Sequence, residues 1–102
     1  MNNQIFVKQS FVYILRCSDG TYYTGVTSNL EQRFHEHKIG KYSTSYTCNR
    51  RHLELLFYAE FTDINLAFEK EKLIKRWSRS KKEALINSDF DQLPNLAKKK
   101  FK

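Results

Sequence analysis

Five side chains in this sequence have types and spacings that could serve a chemical site. Tyr13 and Tyr23 lie in the two short apolar runs FVYIL and YYTGV, and Arg33 and His37 stand four residues apart in a segment with helical periodicity. Glu71 is the one carboxylate on the apolar stripe of a later helical segment. A carboxylate in such a place is costly unless a cation compensates its charge. Glu71 is therefore either one half of an ion pair with a nearby Arg or Lys, or a metal ligand.

The two tyrosines belong to a predicted β-hairpin, and its register decides whether they share a face. Asp19 followed by Gly20 between two strand-like runs is a strong hairpin signal. A two-residue loop would pair Tyr13 with Val26 and put the tyrosines on opposite faces, whereas a three-residue loop would pair Tyr13 with Gly25 and put them on the same face. We predict the three-residue loop, because Asp suits a type I turn and Gly supplies the positive φ that follows it.

The remaining chain alternates between helical and strand-like patterns. Ser28 and Glu31 have the spacing of a capping box at the start of a helix, and Ser80 and Glu83 repeat that spacing. Strict alternation over Leu53 to Phe61 indicates a third strand with its odd-numbered residues on one face. The predicted elements are strands 11–15 and 22–26, a helix from about 30 to 39, a strand 53–61, a helix from about 64 to 78 and a short helix from about 80 to 87. This order, β-β-α-β-α-α, is typical of an α+β domain.

Length and composition indicate one small intracellular domain. A chain of 102 residues can bury a single core, and we divide it into an N-terminal arm 1–10, a folded domain 11–88 and a basic C-terminal tail 89–102 that we expect to be disordered without a partner. Cys17 and Cys48 suggest neither a disulfide scaffold nor a zinc site. Without a secretion signal or an apolar run of about 18 residues, the protein is expected to be cytoplasmic, with no membrane partner.

The charge of the chain points to a polyanionic partner. Eighteen Lys and Arg against eleven Asp and Glu give a net charge of +7, which favours nucleic acid first and an acidic membrane surface second. The segment 40–52 interleaves aromatic rings with positive charge, and the segment 70–82 carries positive charges against a single acid. The candidate nucleic-acid contacts are Lys41, Tyr46, Arg50, Arg51, Lys75, Arg76 and Arg79.

Taken as an ordered set, these residues resemble the GIY-YIG nuclease superfamily, most closely its small single-domain bacterial members. The first motif corresponds to FVY, which ends at Tyr13, and the second to YTG, which begins at Tyr23. The Arg and His of the family's first helix match Arg33 and His37. The family's metal-binding Glu matches Glu71 in the stretch KEKLIKRW.

The resemblance covers residues 11 to 86 and implies a three-stranded antiparallel sheet flanked by helices. It also implies a metal-dependent endonuclease that hydrolyses phosphodiester bonds in DNA, with one divalent ion, Mg²⁺ or Mn²⁺, held by Glu71 and waters. Arg33 would bind the scissile phosphate. Tyr13 would orient or deprotonate the attacking water, with Tyr23 hydrogen-bonding nearby, and His37 is either the alternative base or the group that tunes Tyr13. A base role for Tyr13 requires a pKa lowered from about 10 by Arg33 or the metal.

With no further domain to read a base sequence, we expect the endonuclease to act on branched or damaged DNA in repair or recombination.

Two other functions fit the same residues. A noncatalytic nucleic-acid-binding module that retains the fold is the alternative, and a protein-interaction domain with incidental charge is the third. DNA cleavage in Mg²⁺ would distinguish the endonuclease from the noncatalytic module. Strong, salt-dependent DNA affinity would distinguish both of them from the protein-interaction domain.

Overall fold

Three strands and three helices follow one another in the order that the sequence predicts. A computed structural model describes residues 9–42 and 45–87 of the chain. Its elements are β1 (Ser10–Arg16), β2 (Tyr22–Thr27), α1 (Leu30–Ile39), a 3₁₀ turn (Cys48–Arg50), β3 (Glu54–Phe61), α2 (Ile64–Lys75) and α3 (Arg79–Ile86). The predicted α+β class and the order β-β-α-β-α-α are confirmed. The predicted tail 89–102 and most of the predicted N-terminal arm lie outside the described residues, and Ser10 of that arm begins β1.

The strands form one antiparallel sheet in the order β2-β1-β3, with β1 in the centre. Tyr13 pairs with Gly25, so the three-residue hairpin loop is confirmed. Gly20 has a φ of 83°, the left-handed conformation that a glycine adopts without strain. The Asp19 carboxylate accepts a hydrogen bond from the backbone N–H of Thr21 at 3.1 Å, which fixes the turn locally. Tyr13 and Tyr23 therefore lie on the same face of the sheet.

The hydrophobic core lies on the other face of the sheet, between the strands and the helices α2 and α3. Its buried apolar residues are Val12, Ile14, Phe61, Ala67, Ile74, Ala84 and Leu85. Each fully buried Val, Ile or Leu side chain contributes about 1.5–3 kcal/mol of hydrophobic stabilisation. Alternation along β1 turns Tyr13 away from this core, toward the face where the His37 ring of α1 contacts it. The core thus holds one face of β1 rigid while the opposite face carries polar chemistry.

The predicted capping residues of α1 and α3 are wrong, although α1 begins at Leu30 and ends at Ile39 as predicted. Asn29, not Ser28, caps α1, and its side chain accepts a hydrogen bond from a backbone N–H of the first turn at 3.1 Å. Ser78, not Ser80, caps α3 in the same way. Because Ser78 already begins the next helix, α2 ends at Lys75 and is shorter than predicted. In each case two candidate cap residues stand close together, and hydrogen-bond geometry selects one of them.

A β-bulge in β3 overturns the prediction that its odd-numbered residues share one face. Ile14 pairs with Phe57, whereas its neighbour Leu15 pairs with Leu55, so Leu56 is an extra residue in β3. Neighbouring residues of β1 point to opposite faces, and therefore Leu55 and Phe57 do so as well.

None of the helices within residues 9–42 and 45–87 is long and apolar enough to cross a membrane.

Candidate active site

A hydrogen-bonded chain of four side chains lies at the centre of the candidate site. Tyr13 is 1% exposed, and its hydroxyl lies 2.8 Å from Nε2 of His37. The other ring nitrogen of His37, Nδ1, lies 2.8 Å from Oγ1 of Thr47, which is itself 3.2 Å from the hydroxyl of Ser45. The Tyr13 ring reaches this position across Gly25, where any Cβ would overlap it. The glycine of the second motif is thus needed because the phenol passes directly over its Cα.

Tyr23 packs beside this chain on the same face of the sheet. Its ring centroid lies 5.3 Å from that of His37 and 6.3 Å from that of Tyr13. On another side, Tyr46 stacks on it with a centroid distance of 6.0 Å and an interplanar angle of 23°. Tyr23 therefore touches both members of the central hydrogen bond and is held from outside by a further aromatic ring.

Arg33 is held at the border of the site by a buried carboxylate. Its Nε lies 3.2 Å from Oε1 of Glu36, one turn further along α1. The other carboxylate oxygen of Glu36 accepts from Lys41 at 3.2 Å and from the Gln32 side chain at 3.1 Å. These donors lower the pKa of Glu36, the Gln32 hydrogen bond having the largest effect. The guanidinium also faces the Tyr13 hydroxyl, and it lowers the pKa of that hydroxyl through its charge and a side-chain hydrogen bond.

The surroundings of Tyr13 keep its hydroxyl protonated. Burial raises its pKa well above the ordinary value of 10, and negative charge on Tyr23 and Glu71 acts in the same direction. Arg33 opposes the rise but does not cancel it. Tyr13 would need a lowered pKa to act as a free phenolate base. This environment raises its pKa instead.

The surroundings of His37 favour the neutral imidazole. Burial is the largest cause of its lowered pKa, the positive charge of Arg33 adds to it, and Glu36 opposes it. A neutral imidazole has one donor and one acceptor nitrogen. When Nδ1 donates to Thr47, Nε2 is free to accept the Tyr13 proton. His37 thus has the properties of a proton acceptor for Tyr13.

Glu71 approaches the site from α2. Its side chain is 12% exposed, and it forms an ion pair with Lys75 at 2.7 Å, one turn along the helix. Its charge also acts on the hydroxyl of Tyr13. Across residues 9–42 and 45–87, no cluster of three or more His, Cys, Asp or Glu could hold a metal ion. One carboxylate nevertheless suits Mg²⁺, which usually binds proteins through one or two carboxylates together with waters and substrate phosphate.

The predicted nucleic-acid contacts divide into engaged and free side chains. The set is Lys41, Tyr46, Arg50, Arg51, Lys75, Arg76 and Arg79. Arg79 donates to a carbonyl oxygen of the hairpin turn at 2.7 Å, and Lys41 and Lys75 belong to the ion pairs described above. Tyr46 and Arg50 stack on each other beside Tyr23. Within the described part of the chain, the side chains of Arg51 and Arg76 have neither an ion pair nor a hydrogen bond.

Two residues of the site, Glu36 and Thr47, were not predicted from the sequence. Glu36 had a usable signal, because its i,i+3 spacing from Arg33 is that of a helical ion pair. Thr47 had none, since its contact with His37 depends on how the loop before the 3₁₀ turn folds back onto α1.

Comparison with known proteins agrees with this geometry. The family model described as the GIY-YIG catalytic domain matches residues 9–84, a range that includes all five residues of the predicted catalytic set. The chain therefore belongs to the GIY-YIG family, and the predicted resemblance is confirmed.

Its relatives are UPF0213 proteins, and the chain belongs to this group within the family. The UPF0213 protein of Syntrophus aciditrophicus is 38% identical over 87 residues, which are 85% of this chain and all of the relative. A UPF0213 protein of Oceanobacillus iheyensis is 42% identical over 79 residues, 78% of this chain and 91% of the relative. The solution NMR structure of a UPF0213 protein from Bacillus halodurans is 37% identical, covers 78% of this chain and 83% of its own, and superposes with a TM-score of 0.52.

Proposed function

We propose that this protein is a metal-dependent endonuclease that hydrolyses phosphodiester bonds in DNA. The observation that carries the proposal is the buried 2.8 Å contact between the Tyr13 hydroxyl and a neutral His37, formed where Arg33 and Glu71 also act on Tyr13. A protein that only binds DNA has no need to bury a tyrosine and a histidine against each other. In a hydrolase such a pair serves as a general base, because a proton must leave the attacking water.

The proton path follows from the two pKa directions. Tyr13 stays protonated and His37 stays neutral at pH 7, because burial raises the pKa of the first and lowers that of the second. As water attacks the phosphorus, Tyr13 takes one of its protons and passes its own to Nε2 of His37. In the tautomer that leaves Nε2 free for this proton, Nδ1–H donates to the Thr47 hydroxyl, which lies 2.8 Å away. Tyr13 therefore acts as a base without ever becoming a free phenolate.

Two charged residues would act on the phosphate, Arg33 directly and Glu71 through a metal ion. Arg33 would offer its terminal nitrogens to two nonbridging oxygens, since Glu36 already fixes its Nε. Glu71 would hold Mg²⁺ or Mn²⁺ after exchanging its partner Lys75. Such an ion, when bound, neutralises charge on the phosphate and the leaving oxygen.

DNA is the proposed substrate because the chain carries a net charge of +7. Arg51 and Arg76 are the proposed phosphate contacts with the greatest freedom to bind, since neither is engaged elsewhere in the described residues. Lys41, Lys75 and Arg79 would bind DNA only by exchanging their present partners. We further propose that the protein acts in the cytoplasm on branched or damaged DNA, in repair or recombination.

One observation favours the alternative of a noncatalytic nucleic-acid-binding module. The proposed metal ligand Glu71 is satisfied by Lys75 at 2.7 Å, which would be a stable end state if no metal ever replaced it. In that module Tyr13 and His37 would be a buried structural pair.

Cleavage of labelled duplex and branched DNA in Mg²⁺ separates the two functions. Wild-type protein is expected to cut at least one substrate, and Glu71→Ala is expected to lose cleavage while retaining DNA affinity. Glu69→Ala is the matched control, because Glu69 is an exposed glutamate on the same helix. If wild-type protein binds these DNAs with salt-dependent affinity but cuts none of them in Mg²⁺ or Mn²⁺, the module is the correct function.

A further inference from the structure

The ring of Tyr46 contacts two side chains of the protein, Tyr23 and Arg50. One face stacks on Tyr23 at a centroid distance of 6.0 Å, and the guanidinium of Arg50 lies 3.9 Å from the ring centroid. A nucleic-acid base stacks only on an open aromatic face. Tyr46 is 42% exposed, but a base could stack on the ring face that Arg50 covers only by displacing the guanidinium.

Arg50 is likewise engaged by the protein itself. Its Nε donates to the Asp19 carboxylate at 3.0 Å, and its Nη1 donates to the backbone oxygen of Tyr46 at 2.8 Å. The adjacent carboxylate compensates its charge, which weakens any attraction to a phosphate. Arg50 therefore fixes the backbone of the loop and covers the Tyr46 ring at the same time.

The other anchors of this loop are in the hairpin turn. The Tyr46 hydroxyl donates to Oγ1 of Thr21 at 2.9 Å, and the backbone N–H of Ser18 donates to the Arg50 oxygen at 2.9 Å. Tyr23 stands two residues after Thr21, on the strand at the edge of the sheet. A strand at the edge has no neighbour on its outer side to support its side chains, and Tyr46 supplies that support.

We propose that Tyr46 and Arg50 are positioning residues, which hold the ring of Tyr23 against His37 and Tyr13 and do not contact DNA. The inference rests on the proposed endonuclease function for its catalytic consequence, and its structural content is independent of that function. The loop after α1 then has two tasks in the site. Its Tyr46 and Arg50 position Tyr23, and its Thr47 holds His37 by a hydrogen bond.

Two variants test the proposal by removing different parts of the stack. Tyr46→Leu keeps an apolar side chain but removes the stacked ring and its hydroxyl. Arg50→Lys keeps the positive charge but removes the planar fork that bonds Asp19 and the backbone. Tyr58→Leu is the matched control, because Tyr58 is a 56% exposed tyrosine on β3 and Phe11 is the one aromatic ring that it contacts among the described residues.

Both variants are expected to lower kcat by about 10- to 100-fold through misplacement of Tyr23, with KM and DNA affinity changed by less than about twofold. Tyr58→Leu should leave both constants near wild type. Tyr46→Phe, which keeps the ring, should recover most of the activity that Tyr46→Leu loses. A loss of DNA affinity with unchanged kcat in Arg50→Lys and Tyr46→Leu would overturn the proposal in favour of direct DNA contact.

A second measurement needs no substrate, and so it separates this inference from the proposed function. Proton NMR of the wild-type protein should show a nuclear Overhauser contact between the rings of Tyr23 and His37, whose centroids lie 5.3 Å apart. The contact should weaken or vanish in Tyr46→Leu and remain in Tyr58→Leu. If it stays unchanged in Tyr46→Leu, the positioning role is wrong even if the enzyme cleaves DNA. If it vanishes while wild-type protein cuts nothing, the positioning stands and the endonuclease proposal fails.

Discussion

Gly25→Ala is a minimal change that tests whether the path of Tyr13 across β2 matters. A Cβ at position 25 would lie 2.5 Å from Cζ and 3.0 Å from Cε1 of Tyr13. Carbon atoms in contact normally lie about 3.5–4.0 Å apart, so the ring must move by about 1 Å. The hydrogen bond to His37 is 2.8 Å long, and such a shift takes it beyond about 3.5 Å, where it no longer counts as a bond.

The expected loss has a catalytic and a structural part. A misplacement of about 1 Å at a reacting group can lower kcat by about 100-fold. Overpacking a buried site typically costs about 1–3 kcal/mol of folding stability. In a domain of this size each kcal/mol lowers Tm by about 4–8 °C. Gly25 does not have a positive φ, and the alanine is therefore free of backbone strain.

Gly20→Ala is the matched control for this experiment. Nothing lies within 4 Å of a Cβ at position 20, but its φ of 83° makes an alanine there cost about 1–2 kcal/mol. It therefore loses stability similar to that of Gly25→Ala without crowding Tyr13. At temperatures well below the Tm of either variant, only Gly25→Ala should show a lowered kcat. Wild-type kcat in Gly25→Ala would refute the role assigned to the Tyr13 and His37 pair.

Two further predictions concern charge in the site. Because burial holds the pKa of His37 below its ordinary value of 6.5, cleavage should be constant near neutral pH and should fall as pH drops through that lowered pKa, where the imidazolium can no longer accept the Tyr13 proton. The unfolded chain binds this proton more readily, so stability should also fall as pH drops below 6.5. In thermal-unfolding profiles His37→Gln should remove this fall, and it should also lower cleavage at every pH, because no imidazole then accepts the Tyr13 proton. The exposed His35→Gln should keep the pH dependence of both cleavage and stability. Glu36→Gln should lower kcat by about tenfold, the value of one charge-assisted hydrogen bond, by releasing Nε of Arg33, and steady-state kinetics would check it. An unchanged kcat would show that Arg33 is held by other contacts.

Local rules were sufficient for the hairpin and for the register that brings the tyrosines together. Asp19 and Gly20 specify a turn with one residue at positive φ, and period-two alternation then determines the faces of Tyr13 and Tyr23. These are properties of a few neighbouring residues, and for that reason they can be read from sequence. The β-bulge at Leu56 could not be predicted, because it depends on how β3 fits against β1 some forty residues earlier.

The contacts between the residues of the site were harder to predict than the residues themselves. His37 and Tyr13 were both expected from sequence, but Thr47 reaches His37 only through the folded path of a loop with no periodicity. The direction of the pKa shift of Tyr13 could not be predicted from the sequence, for a similar reason. Sequence analysis could name Arg33 as a group that lowers it, whereas the larger effect of burial depends on the packing around the ring.

Adjacent Arg50 and Arg51 show why charge patterns alone do not locate a nucleic-acid interface. Each adds one unit to the net charge, and both stand in the same basic, aromatic segment. In the folded protein Arg50 lies between Asp19 and the ring of Tyr46, while the guanidinium of Arg51 covers Gly40 at the end of α1 without an acidic partner among the described residues. Only the second charge is available to a phosphate at little cost. Substituting Arg51 should therefore reduce the salt dependence of DNA binding, and substituting Arg50 should instead act on catalysis.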